Sequence, residues 1–184
     1  MTDLVDQYKQ LHKDESFYAA SVLSIHKESI RQYLSVKDCK SILDYGCGKA
    51  TQYTVENIHN DYFYGIMPSL YDPAVKQFSK LPDGKFDAVI STDVLEHIEE
   101  ESLEEVIKEI YSKADKFVYL GICNRPAETI LPDGRNAHVT LKSLDWWIDK
   151  ILPHATVHTL VVVYGDSKSQ AILDNKTVVM KKIR

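Results

Sequence analysis

The stretch that most limits how this chain can fold is SILDYGCGKATQY, Ser41 to Tyr53. A short apolar run ends in an acidic residue, Asp44. Two glycines one residue apart, Gly46 and Gly48, follow, and then come residues able to open a helix. Glycine reaches positive φ at no steric cost and lets other atoms approach the backbone. The stretch therefore reads as a strand that turns sharply into a helix, with a loop that a ligand can approach closely. Asp44 can hold that loop or meet a cationic group. The third glycine of the dinucleotide fingerprint would fall at Thr51, which counts against a pyrophosphate site. A Gly-x-Gly pair equally describes a plain turn, so its meaning depends on its surroundings.

Those surroundings alternate between helix and strand. Val22, Leu23, Ile25, His26, Ile30, Tyr33 and Leu34 have helical spacing, and the polar SVKDCK separates them from the first strand. The expected order then runs: a helix over Thr51 to Ile58, the strand FDAVIST, an acidic helix from Glu99 to Lys113, the strand KFVYLGIC, the helix SLDWWIDKI, and two closing strands in ATVHTLVVVY and KTVVMKKI. Alternation of this kind predicts a parallel α/β sheet, whose ligands sit at the carboxyl ends of the strands. At 184 residues and 44% hydrophobic content the chain predicts one domain over 1–184. A net charge of −5 offers no general attraction to phosphate backbones or anionic membranes. No apolar run approaches a membrane span, and the polar start lacks a signal peptide's apolar stretch. A cytoplasmic protein without nucleic-acid or membrane partners is expected. Cys39, Cys47 and Cys123, odd in number and without C-x-x-C spacing, are expected to be free thiols.

LDYGCGKA, read together with KFDAVISTDVLEHI (Lys85 to Ile98) at its separation in the chain, resembles class I methyltransferases, which use S-adenosylmethionine (SAM). The first motif is similar to that family's acidic-x-Gly-x-Gly loop, and the second to its fourth strand and the turn after it. The resemblance implies a Rossmann-like, mostly parallel sheet with an antiparallel closing strand. It also implies that Asp44, Tyr45, Gly46, Cys47 and Gly48, with Thr92 and Asp93, contact SAM. SAM has no pyrophosphate, so Thr51 in place of a third glycine is compatible with it.

Two departures stand out. The family's ribose-binding acidic residue has Met67 as its nearest analogue in YGIMPS, and methionine cannot accept those hydrogen bonds. Asp72 in SLYDPAV takes the role instead, with YFYGIM as lead-in. The segment from Asp72 to LPDGKFD is too short for a helix plus a third strand, so that sheet edge is expected to be trimmed. Adenine would then be covered by Ala74 to Leu81, with Phe78 either above it or in the core. LYDPAV and the compact frame are similar to small phage methyltransferases. Residues 1–36 are expected to form a helical lid, with Tyr8, His12 and Ser21 either over the cofactor or in a surface helix.

Asp93, Glu96 and His97 have i, i+3, i+4 spacing, so a helical turn after the strand would set all three on one face. His138, in GRNAHVT after the fifth strand, would emerge at the same end. The set resembles the metal site of small-RNA 3′-terminal 2′-O-methyltransferases and of ubiquinone-pathway O-methyltransferases. That resemblance implies a divalent ion (Mn, Mg, Fe, Co or Zn) on Asp93, Glu96, His97 and His138, although Asp93 stands where those families have Glu. Without an ion, the same groups make a polar substrate pocket. His97 or His138 is the candidate general base for a hydroxyl acceptor, and Trp146 and Trp147 offer an apolar wall or core. His154 and His158 read as structural, and Glu99 to Glu105 as a solvated helix start. With little chain left for a substrate domain, the pocket is expected from the N-terminal segment and from Asn124 to His138, and the acceptor is expected to be a small molecule, methylated on oxygen. The rival readings are a non-catalytic SAM-binding or partner-activating protein and a nucleotide-sugar or NAD-linked Rossmann enzyme.

Overall fold

The computed structural model describes residues 4–13, 22–165 and 167–183. FYAAS and Ser21 lie outside them. The helices are α1 (Leu4–Leu11), α2 (Lys27–Val36), α3 (Thr51–Thr54), α4 (Ile58–Tyr62), α5 (Leu103–Lys113) and α6 (Leu144–Ile151). The strands are β1 (Ile42–Tyr45), β2 (Ser69–Tyr71), β3 (Phe86–Thr92), β4 (Ala114–Cys123), β5 (His158–Tyr164), β6 (Ser169–Asp174) and β7 (Thr177–Ile183). They form one sheet in the order β2-β1-β3-β4-β5-β6-β7, parallel through β5, with β6 antiparallel to both of its neighbours. This is the Rossmann-like sheet with an antiparallel closing strand. The edge is trimmed as expected: β2 is the outer strand, and only a single 3₁₀ turn, Lys76–Phe78, separates it from β3.

Both faces of the sheet are covered, which is why all four residues of β1 are buried. On one face Leu103, Ile107, Ile110 and Tyr111 of α5, at helical spacing, pack with Trp147 and Ile151 of α6. On the other, Ile30 and Leu34 of α2 pack with Tyr53, Ile58 and Phe63 over Ile90, Phe117 and Tyr119. Ser143 caps α6 by accepting from Trp146 N at 3.3 Å. His154 closes a one-turn 3₁₀ helix, and the His158 ring lies 5.4 Å from Tyr33, so both serve the scaffold. Cys39, Cys47 and Cys123 are free and buried. Among the described residues no helix is long and apolar enough to cross a membrane.

Several elements differ from expectation. The helix over Thr51 to Ile58 is two short ones, because Asn57 takes a left-handed conformation (φ 54) between them. The acidic helix begins at Leu103 rather than Glu99. β6 was not expected. Its partner β7 follows through Asn175 and Lys176, both at positive φ (44 and 62), a two-residue hairpin turn that lacks the glycine by which such turns are usually read. Of residues 1–36, α2 belongs to the packed core.

Candidate active site

The carboxyl ends of β1, β2 and β3 open into a cavity of about 410 Å³, within the range of small-molecule sites. Its glycine wall is made by backbone. Gly46 N and Cys47 N donate to Tyr71 O at 2.7 and 3.0 Å. Asp72, immediately after β2, accepts from Gly48 N and Ala74 N, both at 2.9 Å, one on each carboxylate oxygen. The two glycines differ. Gly46 (φ +87) is packed so that a Cβ would lie 2.2 Å from Val94 Cγ2, whereas at Gly48 (φ +55) a Cβ would meet nothing within 4 Å. Gly48 lines the cavity, so its open side is space that a ligand can use.

Tyr45, Gly46, Cys47, Gly48, Asp72, Thr92, Asp93 and His97 all line this cavity. Asp44 does not. It sits behind the loop, 2% exposed, with Tyr53 Oη donating to it at 2.8 Å and Gln52 Nε2 at 3.1 Å. Burial raises its pKa to about 6. Of the two roles open to Asp44, the geometry selects holding the loop. Met67 is exposed and Phe78 packs into the core, while Pro73 and Ala74 reach the cavity. Trp147 is core, Trp146 packs edge-on against it, and neither forms a cavity wall.

The opposite wall is built from side chains. Leu4, Val5, Tyr8 and His12 line the cavity from the leading segment. Burial lowers the pKa of His12, and Asp72 opposes that shift. The loop after β4 does not line the cavity but ties α1 down. Gln7 Nε2 donates to Asp133 Oδ2 at 2.9 Å, and Asp133 N donates back to Gln7 Oε1 at 3.2 Å. Tyr8 Oη lies 2.9 Å from Ala137 O and 2.7 Å from His97 Nδ1, which is itself 3.1 Å from Ala137 O. A carbonyl can only accept. All three atoms are satisfied when Nδ1–H donates to Tyr8 Oη and Tyr8 O–H donates to Ala137 O, which leaves Nε2 as the unprotonated nitrogen. Burial, reinforced by His138, lowers the His97 pKa to about 4, so the ring is neutral near pH 7.

Asp93, Glu96 and His97 do not share a helical face. Asp93 is left-handed (φ 62), and Glu96 and His97 follow in a single 3₁₀ turn, Leu95–His97. The turn sends Glu96 toward β4, where Oε1 accepts from Cys123 N, and His97 toward α1. Donor atoms of Asp93, Glu96, Cys123 and His138 come within 4.8 Å of one another. This cluster contains Cys123 and not His97, whose ring lies edge-on to His138 at 4.6 Å between centroids. Asp93 Oδ1 accepts from Tyr164 Oη at 2.7 Å. His138 Nδ1 is 2.5 Å from Arg125 O and so carries the proton, leaving Nε2 bare. Glu96 is fully buried, its Oε2 meets no donor among the described residues, and burial beside Asp93 raises its pKa well above the usual carboxylate range. A buried oxygen without a donor, among two carboxylates, a thiol and a bare imidazole nitrogen, is a set that a divalent cation fits.

Sequence reasoning missed Cys123, whose only signal is its place at the end of a core strand. It also missed Glu99 and Glu109, which line the cavity; Glu99 was read as part of a solvated helix start, yet it reaches the cavity while pairing with Arg135 at 2.8 Å.

A sheet covered by helices on both faces, with a glycine loop and an acidic residue bordering a cavity at its carboxyl ends, is the arrangement in which α/β proteins hold nucleotide-type ligands. The family described as a methyltransferase domain matches residues 70–114, from β2 into the start of β4. This match supports the class I SAM-dependent methyltransferase superfamily as the one the chain is similar to. No curated protein matches it.

Proposed function

We propose that the protein transfers the methyl group of SAM to the oxygen of a small-molecule acceptor, with His97 as proton acceptor. The observation that carries this reading is the neutral His97, oriented by Tyr8 and Ala137 O at a cavity shared with Gly48 and Asp72. When bound, the cofactor supplies an electrophilic methyl carbon: the acceptor O–C bond forms as the S–C bond breaks, and sulfur keeps the electron pair. The glycine loop and Asp72 hold the cofactor, Asp72 offering its remaining acceptor capacity to the ribose hydroxyls. α1 excludes water, which strengthens charge interactions in the site. His97 Nε2 takes the acceptor's proton. His138 does not line the cavity, so its supported role is to stand behind His97. The cavity between α1 and the strand ends suits a small acceptor, without nucleic acid or membrane. Three free thiols support a cytoplasmic setting.

One observation favours a metal-assisted form of the same reaction: the orphaned Glu96 Oε2 inside the Asp93, Glu96, Cys123 and His138 cluster. Those four residues would hold the ion, which would supply Lewis-acid chemistry, and of them Asp93 lines the cavity. A thiol and an imidazole favour Zn, Fe or Co over Mg.

The test combines calorimetry with S-adenosylhomocysteine (SAH) and NAD, and incubation with methyl-labelled SAM and a panel of small hydroxyl compounds. SAH binding with weak or absent NAD binding, and label in an O-methyl product, is the expected result. Tighter NAD binding overturns the cofactor, label on nitrogen overturns the acceptor chemistry, and binding without transfer to any acceptor favours the non-catalytic reading. Elemental analysis, with activity before and after exhaustive chelation, decides the metal: full activity in the chelated enzyme removes it.

A further inference from the structure

The trimmed sheet edge has a chemical consequence at the cavity. With no helix or strand between the turn at Lys76–Phe78 and β3, the cavity runs on to the α5 face, where Tyr45, Tyr71, Ile98, Val106 and Glu109 line it. Beside its apolar groups and hydroxyls the lining there has two carboxylates, Glu99, which is paired with Arg135, and Glu109 of α5. Glu109 is half-buried, and Tyr45 Oη donates to its Oε1 at 2.5 Å. Burial and the adjacent Glu109 keep the Tyr45 hydroxyl protonated, so it is the donor of that bond. An ionised carboxylate has about four lone-pair sites, and Tyr45 occupies one. The group is fixed in position and retains capacity for a second donor.

The orientation of a bound nucleoside follows from the two ends of the cavity. Its reacting end must face His97 and Tyr8, on the α1 side. Asp72 stands at the ribose position, and the base is joined to the ribose one carbon away from the 2′-hydroxyl. The base must therefore lie on the side of Asp72 away from His97, which is the α5 extension with the rings of Tyr45 and Tyr71. Adenine carries an amino donor on its exocyclic nitrogen with acceptors flanking it. A fixed carboxylate complements that donor, and it opposes a purine with a carbonyl at the same position.

We propose that Glu109, held by Tyr45, reads the amino edge of the cofactor's base and sets the preference for adenine. The inference rests on the SAM reading above. In this chain the base-reading group comes from α5 because the segment that would otherwise wall off the site is missing.

The test is calorimetry with two ligands that differ at one position, SAH and its deaminated analogue S-inosylhomocysteine, on wild type and Glu109→Gln. Glutamine keeps an oxygen to accept from Tyr45, and its amide can donate to the carbonyl of the analogue. Wild type is expected to prefer SAH about tenfold or more, the scale of a hydrogen bond to a charged group. Glu109→Gln is expected to bring the two ligands to within about threefold or to reverse the order. An unchanged ratio in the variant, including equal weakening of both ligands, overturns the role of Glu109 while leaving the SAM reading intact. Failure of wild type to bind SAH overturns the SAM reading itself. Glu109→Ala, measured against the same pair with its thermal midpoint recorded, covers the case in which the glutamine pairs in a new way: a folded alanine variant that retains the wild-type ratio also overturns the proposal.

Discussion

The two walls of the cavity are built by opposite means. The glycine wall is local and made of backbone: four amides between Gly46 and Ala74 are fixed by Tyr71 O and one carboxylate, Asp72, and its acidic residue Asp44 is turned inward as a brace. The opposite wall is assembled from side chains far apart in the chain, Tyr8, Asp93 and His97, backed by Glu96, Cys123 and His138, and several of them are titratable groups forced into burial. Backbone amides pre-organise a surface at little electrostatic cost. Clustered carboxylates and imidazoles shift one another's protonation and concentrate reactivity where burial is most expensive. One wall is suited to holding a ligand and the other to acting on it.

The sharpest way to break this contrast is within the glycine loop. Gly46→Val drives a side chain into Val94 at positive φ, and overpacking with left-handed strain should cost about 3 kcal/mol or more. Gly48→Val meets open space, so it should lose only about 1 to 2 kcal/mol of stability from its backbone conformation and yet show no SAH binding by calorimetry. Equal thermal midpoints for the two variants would show that the loop is not packed on one side and open on the other.

On the opposite wall, His97→Gln should reduce methyl transfer by about 10² to 10⁴-fold, the usual worth of a positioned general base, with little change in SAH affinity. Tyr8→Phe, which leaves Nδ1 without its hydroxyl partner, should give a smaller loss of the same kind. If SAH affinity fell in step with rate in both variants, the division between holding and acting would fail.

Asp72→Asn should weaken SAH by about 1 to 3 kcal/mol if Asp72 serves the ribose as proposed, because it removes the charge that holds Gly48 N. Met67→Ala should change SAH affinity by less than about 0.5 kcal/mol, the scale of a surface substitution. The reverse order would move the ribose site to the residue that family alignment first suggests.

The same contrast explains what could be read from sequence. The glycine wall was legible because its parts are contiguous: Asp44 to Gly48 is one loop, and Asp72 follows a three-residue run with strand character. The sheet followed from alternating periodicity, and the trimmed edge from the short distance between Asp72 and Phe86. The acid and imidazole wall was legible only as a list of residue types. A left-handed Asp93 and a 3₁₀ turn, rather than an α-turn, decide that Glu96 and His97 diverge and that Cys123 enters. These backbone choices are made by tertiary packing and leave no periodic trace. Cys123 sits at the end of a fully apolar run, where nothing separates a ligand from a core residue, and Glu109 is hidden on a helix whose acidic residues otherwise face solvent.

The pH dependence of stability separates the walls by sign. His26, behind the second wall with its ring 4.9 Å from Tyr164, is 1% exposed, and burial lowers its pKa to about 4. Its unfolded value is the higher one, so its contribution is complete above about pH 6.5 and is lost as pH falls toward 4, when the unfolded chain takes up the proton first. Asp44, behind the glycine wall, has its pKa raised to about 6. Its contribution is present at low pH and is lost as pH rises through about 6, because the fold then has to hold a buried charge. Each shift amounts to about 3 kcal/mol at most over its window, and between pH 6 and 4 the two act in opposite directions. Thermal midpoints from pH 7 to 4.5 should therefore fall more steeply on acidification for Asp44→Asn than for wild type, and less steeply for His26→Gln. Parallel curves for all three proteins would show that neither buried group changes its protonation on folding, and the electrostatic difference between the walls would reduce to the groups facing the cavity itself.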